Sequence, residues 1–162
     1  MTISVGDTLP DATFLQMGAN GPEPVALAPR LKGRKVVIFA VPAAYSGTCT
    51  TAHVPSFMRT KPQFEAKGVS EIICVAVNDP YVMQAWGEST GATAAGLTML
   101  SDADGSFAEA LGLSFSNPAT GLLNRSRRYS MLVDDGVVKV LRREVKGGTC
   151  EISGGEALLD EI

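Results

Sequence analysis

Apolar positions in the middle of the chain follow two patterns. Lys35–Val41 reads Lys-Val-Val-Ile-Phe-Ala-Val, β-branched and almost unbroken, as a strand buried on both faces requires. Glu71–Val77, Glu-Ile-Ile-Cys-Val-Ala-Val, repeats the pattern. Between them Thr50–Lys67 carries Val54, Phe57, Met58 and Phe64 at helical spacing, with Pro62 expected to kink or break the helix. Strand, helix and strand in that order predict a right-handed βαβ unit with parallel pairing.

Further along, Asp79–Ser89 and Asp104–Leu111 read as helices, the second ended by Gly112, with Leu97–Leu100 a short strand between them. Arg128–Val133 and Val137–Arg142 flank Asp134-Asp135-Gly136, a hairpin signal in which glycine supplies positive φ. Glu156–Ile162 closes the chain as a helix, and the Gly- and Pro-rich opening through Leu31 suggests short edge strands and turns. No repeat or low-complexity linker interrupts residues 1–162, so one domain is expected. A βαβ half followed by a hairpin and a last helix is the thioredoxin-like order. The fold class expected is therefore α/β, a central mixed sheet flanked by helices. Fold alone says little about function.

Composition narrows the class. Hydrophobic residues make up 45% and charged residues 19%, as in soluble globular proteins. No apolar run is long enough to span a bilayer, and Met1–Asp7 lacks the basic flank and apolar stretch of a signal peptide. A formal charge of −3 argues against a nucleic-acid partner. Cys49, Cys74 and Cys150 form neither a disulfide framework nor a C-x-x-C motif. A cytoplasmic, thiol-reducing compartment is expected, in which any disulfide is transient and catalytic.

Cys49 lies in Val41-Pro42-Ala43-Ala44-Tyr45-Ser46-Gly47-Thr48-Cys49, which leaves the first buried strand and enters the helix. Sites in open α/β sheets lie beyond the carboxyl ends of strands. A helix start also offers free N–H groups and a dipole that stabilise a thiolate. A nucleophilic attack by such a thiolate further needs donors aimed at the atom on which negative charge develops. The Ser46 hydroxyl and turn N–H groups can serve, together with a guanidinium from a remote segment.

Pro42-x-x-x-Ser46-x-x-Cys49 resembles the P-x-x-x-T/S-x-x-C motif of the peroxiredoxins. His53, Val54-Pro55-x-Phe57, Cys74–Pro80, Arg128–Met131 and Asp135–Lys139 extend the resemblance over nearly the whole chain, toward the type II, peroxiredoxin-five-like subgroup. It implies a thiol-dependent peroxidase acting on hydrogen peroxide and organic hydroperoxides through a sulfenic acid at Cys49. Arg128 would be the active-site arginine, Ser46 the hydroxyl donor to the peroxide, and Pro42 a shield of the thiolate. No metal, haem or other cofactor is implied. Thioredoxin, glutaredoxin or glutathione would be the reductant, and a homodimer the assembly. Ala43, Tyr45 and Gly47 depart from residues usual in the family, and Gly47 loosens the turn.

The other candidates divide. Cys74, inside an apolar strand, is expected to be structural, since burial silences a thiol. Cys150, in Lys146-Gly147-Gly148-Thr149-Cys150, has two readings open: resolution of the Cys49 sulfenic acid, as the resemblance implies, or a bystander while an external thiol resolves it. Cys49 and His53 alone are too few ligands for zinc. His53 tunes the site at most, and Arg125 and Arg127 are expected to be solvated. Two rivals use the same residues: a non-enzymatic redox sensor, and a Cys49–His53 hydrolase without a third orienting group.

Overall fold

A computed structural model describes residues 1–162. The strands are β1 (Thr13–Gly18), β2 (Gly21–Ala26), β3 (Lys35–Val41), β4 (Val69–Ala76), β5 (Thr98–Ser101), β6 (Ser114–Asn117), β7 (Leu122–Ser126), β8 (Tyr129–Asp134) and β9 (Val137–Arg143). The helices are α1 (Ala28–Leu31), α2 (Val54–Ala66), α3 (Pro80–Thr90), α4 (Ser106–Ala110) and α5 (Gly155–Leu159). A π-helical turn spans Cys49–His53 and a 3-10 turn Pro118–Thr120. Seven strands form one sheet in the order β2-β1-β5-β4-β3-β8-β9. β3 pairs parallel with β4 and β4 with β5, while β8 runs antiparallel to both β3 and β9. The sheet is therefore mixed, and the β3–α2–β4 crossover supplies the expected parallel pair.

The unbroken apolar run of β3 is explained by its place at the sheet's centre. Val36, Ile38 and Ala40 face one core, with Phe14, Leu31, Phe107, Tyr129 and Met131. Val37, Phe39 and Val41 face the other, with Phe57 and Phe64 of α2, Trp86 of α3 and Leu158 of α5. Cys49 and Cys74 belong to this second core. The β8–β9 hairpin turns through Asp135 and Gly136 at φ 49° and 80°, as a two-residue primed turn demands.

At three places the structure adds to the sequence reading. Pro62 lies within α2 without ending it. The helix leaving Cys49 begins as a π-turn, in which the Val54 N–H donates to the Cys49 carbonyl five residues back. The small β6–β7 hairpin, Ser114–Ser126, has no counterpart in the sequence reading because its residues are mostly polar and exposed.

Candidate active site

The turn from Pro42 to Thr48 carries the chain from the end of β3 into the π-turn. Asn78, just past β4, accepts the Ala44 N–H on Oδ1 at 3.0 Å, and the Thr50 N–H donates to the Ser46 carbonyl at 3.0 Å. The indole of Trp86 donates to Thr50 Oγ1 at 3.1 Å, tying α3 to the residue after Cys49. Pro42 is half-buried at the mouth of this turn. Ser46 Oγ donates to the Ala43 carbonyl at 2.8 Å, so its proton is engaged inside the turn. Tyr45 adopts φ 64°, an uncommon conformation for a bulky residue.

Arg128 immediately precedes β8. Tyr129 points into the first core, so strand alternation turns Arg128 toward the second, where Cys49 lies. Arg128 Nη2 donates to Cys49 Sγ at 3.0 Å, and Nη1 donates to His53 Nδ1 at 2.9 Å. His53 Nε2 lies 2.9 Å from the Ser153 carbonyl. A carbonyl can only accept, so Nε2 carries the proton and Nδ1 presents its lone pair to the arginine. Burial, reinforced by the Arg128 charge, lowers the His53 pKa to about 3, and the ring is neutral at neutral pH. Phe39 and Phe57 flank the imidazole, with ring centroids 4.9 and 5.6 Å away.

The electrostatic consequence is specific. Arg128 is 6% exposed, and the ion pairs of the protein leave it without a carboxylate. A nearly buried guanidinium without a counter-charge is costly. Its only partner able to become an anion by direct contact is Cys49 Sγ, which is wholly buried. The geometry therefore aims a charged donor directly at Cys49 Sγ.

The other thiols differ. Burial, with Cys49 nearby, pushes Cys74 well above the ordinary thiol range, as a structural cysteine in β4 should be. Cys150 is half-buried in the loop after β9, and burial raises its thiol also. That loop is latched to the active-site turn by Thr48 Oγ1, which donates to the Gly148 carbonyl at 2.8 Å. All three cysteines are free. Of the two arginines expected to be solvated, Arg127 lies over the Phe115 ring, and Arg125 donates to the Val77 carbonyl at 2.8 Å.

The sequence reading brought Cys49 and Arg128 to one site. It gave His53 only a minor part, yet the ring is the bridge between Arg128 and the 149–153 loop. Four-residue spacing from Cys49 was the available signal. The receiving carbonyl of Ser153, a hundred positions away, left none.

A buried cysteine in a helical turn just beyond a strand end, held by a buried arginine, is the arrangement of a thiol-based redox enzyme. The chain belongs to the Redoxin family, whose model matches residues 4–159. Within that family it is a peroxiredoxin of the type II subgroup, a thiol-dependent peroxidase. It is 46% identical over 99% of its length to the chloroplastic peroxiredoxin-2E-2 of Oryza sativa subsp. japonica, covering 73% of that protein. It is 40% identical to peroxiredoxin-2C of the same organism, over 99% of this chain and 98% of the other. Among solved structures, reduced Prx3 of Vibrio vulnificus in complex with hydrogen peroxide superposes with a TM-score of 0.91. That pair shares 41% identity and covers 99% of each chain. A hydroperoxide and a thiol reductant are the general reactants of such an enzyme. No helix is long and apolar enough to cross a membrane.

Proposed function

We propose that Cys49 is the peroxidatic nucleophile, with Arg128 stabilising both its thiolate and the charge that develops on the departing oxygen. The observation that carries this reading is the 3.0 Å contact between Arg128 Nη2 and Cys49 Sγ, made by a guanidinium with no carboxylate partner. The thiolate attacks the terminal oxygen of a hydroperoxide. An S–O bond forms as the O–O bond breaks, sulfur is oxidised by two electrons, and the leaving oxygen takes a proton to depart as water or an alcohol. Ser46 serves by releasing the Ala43 carbonyl and donating to the peroxide, while Pro42 limits the approach of bulk water. The hydrogen peroxide named for the Vibrio vulnificus structure supports that substrate here. Cys49 is wholly buried, so entry requires the 42–48 turn or the facing loop to yield.

In the second stage the Cys150 thiol condenses with the sulfenic acid, forming a disulfide and releasing water. Thioredoxin, glutaredoxin or glutathione then reduces it. The raised Cys150 thiol is a weak nucleophile where it rests, so resolution requires it to leave that position. The latch between Thr48 and Gly148 must open and the π-turn must unwind. Residues 1–162 are read as one functional domain, working as a homodimer in a reducing, cytoplasmic setting that keeps its three thiols free.

Intact-mass analysis after one equivalent of hydrogen peroxide tests the scheme on the parent, Cys150→Ser and Arg128→Met. The parent is expected to lose two hydrogens as the disulfide forms, and Cys150→Ser to gain one oxygen on Cys49. Arg128→Met should slow oxidation by about a hundredfold or more, the scale of losing one aimed donor. A single added oxygen in the parent would assign resolution to an external thiol. An unmodified Cys49 in every form would reject the nucleophile.

A further inference from the structure

We propose that Glu144 is a positioning residue of this site: its carboxylate fixes the 149–153 loop so that the Ser153 carbonyl holds His53, and His53 holds Arg128 against Cys49. The proposal rests on the reading of Cys49 and Arg128 given above and extends it to a residue outside the reacting groups.

Glu144 is the first residue after β9, and its N–H donates to the Arg128 carbonyl at 3.1 Å. Its backbone therefore sits across the strand pair from the arginine. Its side chain is committed to the loop. Oε1 accepts the Glu151 N–H at 2.9 Å and the Ile152 N–H at 3.2 Å. Oε2 accepts the Ile152 N–H at 3.1 Å and the Ser153 N–H at 2.8 Å. Thr149 Oγ1 adds a longer contact at 3.4 Å. One carboxylate thus serves three successive backbone donors where no helix or strand supplies partners. Glu144 has no ion-pair partner of its own, so these donors are what hold its charge. Burial acts to raise the carboxyl, but hydrogen bonds from Ser153, Glu151 and Ile152 outweigh it and keep Glu144 below the ordinary carboxylate range.

Gly147 and Gly148 precede the loop and Gly154 follows it, and a segment so flanked does not hold a carbonyl in place by its own backbone preference. Yet the Ser153 carbonyl must be fixed, because it selects the His53 tautomer that accepts from Arg128. Unbroken hydrogen bonding therefore runs from Glu144 through Ser153 and His53 to Arg128 and Cys49. Tuning by a group that contacts none of the reacting atoms is familiar from the outer shells of metal sites. Here the tuned group is a sulfur.

Glu144→Gln keeps the shape and turns an amide N–H₂ against a backbone N–H. In a Cys74→Ala, Cys150→Ser background, where Cys49 is the one thiol left, three quantities are read: the pH profile of Cys49 alkylation by iodoacetamide, the rate of sulfenic acid formation with hydrogen peroxide, and amide exchange at residues 151–153. Faster exchange is expected, with the alkylation profile displaced to higher pH. Oxidation should slow by roughly two- to thirtyfold, the span of couplings carried through such networks. Glu144→Asp, which keeps the charge but shortens the reach, should fall between. Introducing Glu144→Gln into a His53→Ala protein should change the Cys49 profile no further, since coupled residues are not additive. Faster exchange with an unchanged profile and rate would make Glu144 merely structural and overturn the proposal. So would a full Glu144→Gln effect persisting without His53. If the parent formed no sulfenic acid, the nucleophile assignment would fail instead, while alkylation and exchange would still report on the clamp.

Discussion

Cys49 and Arg128 meet because two local rules agree: a strand end delivers the thiol to a helix start, and strand alternation turns the arginine away from Tyr129. His53 adds a cost that can be measured. Its unfolded pKa is near 6.5 and its folded pKa about 3, so below pH 6.5 the unfolded chain binds a proton that the native protein refuses. Stability attributable to the neutral ring is thus whole above about pH 6.5 and is lost progressively as pH falls toward 3. Between pH 6.5 and about pH 4.5 the loss should be on the order of 2–3 kcal/mol, at about 1.4 kcal/mol per pH unit. Urea unfolding of the parent and of His53→Gln at those two pH values checks this. The variant should lose less than the parent by that amount, and parallel losses would mean that His53 is protonated in the native state. Much at this scale was legible in the sequence, since Cys49, Ser46, Pro42 and Arg128 sit in short motifs. Glu144 was not, because its partners are backbone N–H groups, which residue identity does not mark.

Among the elements, β3, β4 and the β8–β9 hairpin were legible because burial on both faces and a tight turn each leave a distinct residue pattern. The π-turn was not. Apolar spacing along 50–67 fits an α-helix, and the added residue per turn is set by the contacts around Cys49. π-turns frequently mark functional sites, and this one begins at Cys49 itself. Gly47 and Thr48 open the helical segment ahead of it. Gly47 has open space where a Cβ would stand, and its φ is not in the left-handed region. Proline suits the first turn of a helix, so Gly47→Pro should stabilise the protein by about 0.4–1 kcal/mol, chiefly by restricting the unfolded chain. Chemical denaturation reads this directly. A loss of stability would mean that Ser46, the residue before the new proline, cannot take the extended conformation required of it.

For the whole molecule the question is what covers the rim of the site. Tyr45, Tyr81 and Leu123 are 54%, 62% and 57% exposed, and they come from three separate segments. The Ala44 N–H bond to Asn78 joins the active-site turn to the approach of α3, where Tyr81 stands. The Arg125 bond to the Val77 carbonyl brings β7, which carries Leu123, to the same edge. Three large exposed apolar side chains on segments joined by these two hydrogen bonds are what the homodimer proposed above would cover. Aromatic residues are also enriched at such interfaces. Tyr81→Glu would set a charge within that face, and two copies would appear in any two-fold contact, where the same patch meets itself. Light scattering after size exclusion should find the parent as a dimer and Tyr81→Glu as a monomer. Tyr81 stands on α3, outside the bonded set of Cys49, Arg128 and His53, so sulfenic acid formation by the monomer should continue. A monomeric parent would reject the dimer and leave the rim to a different partner, with the reductant that must reach the oxidised site the first to test by crosslinking.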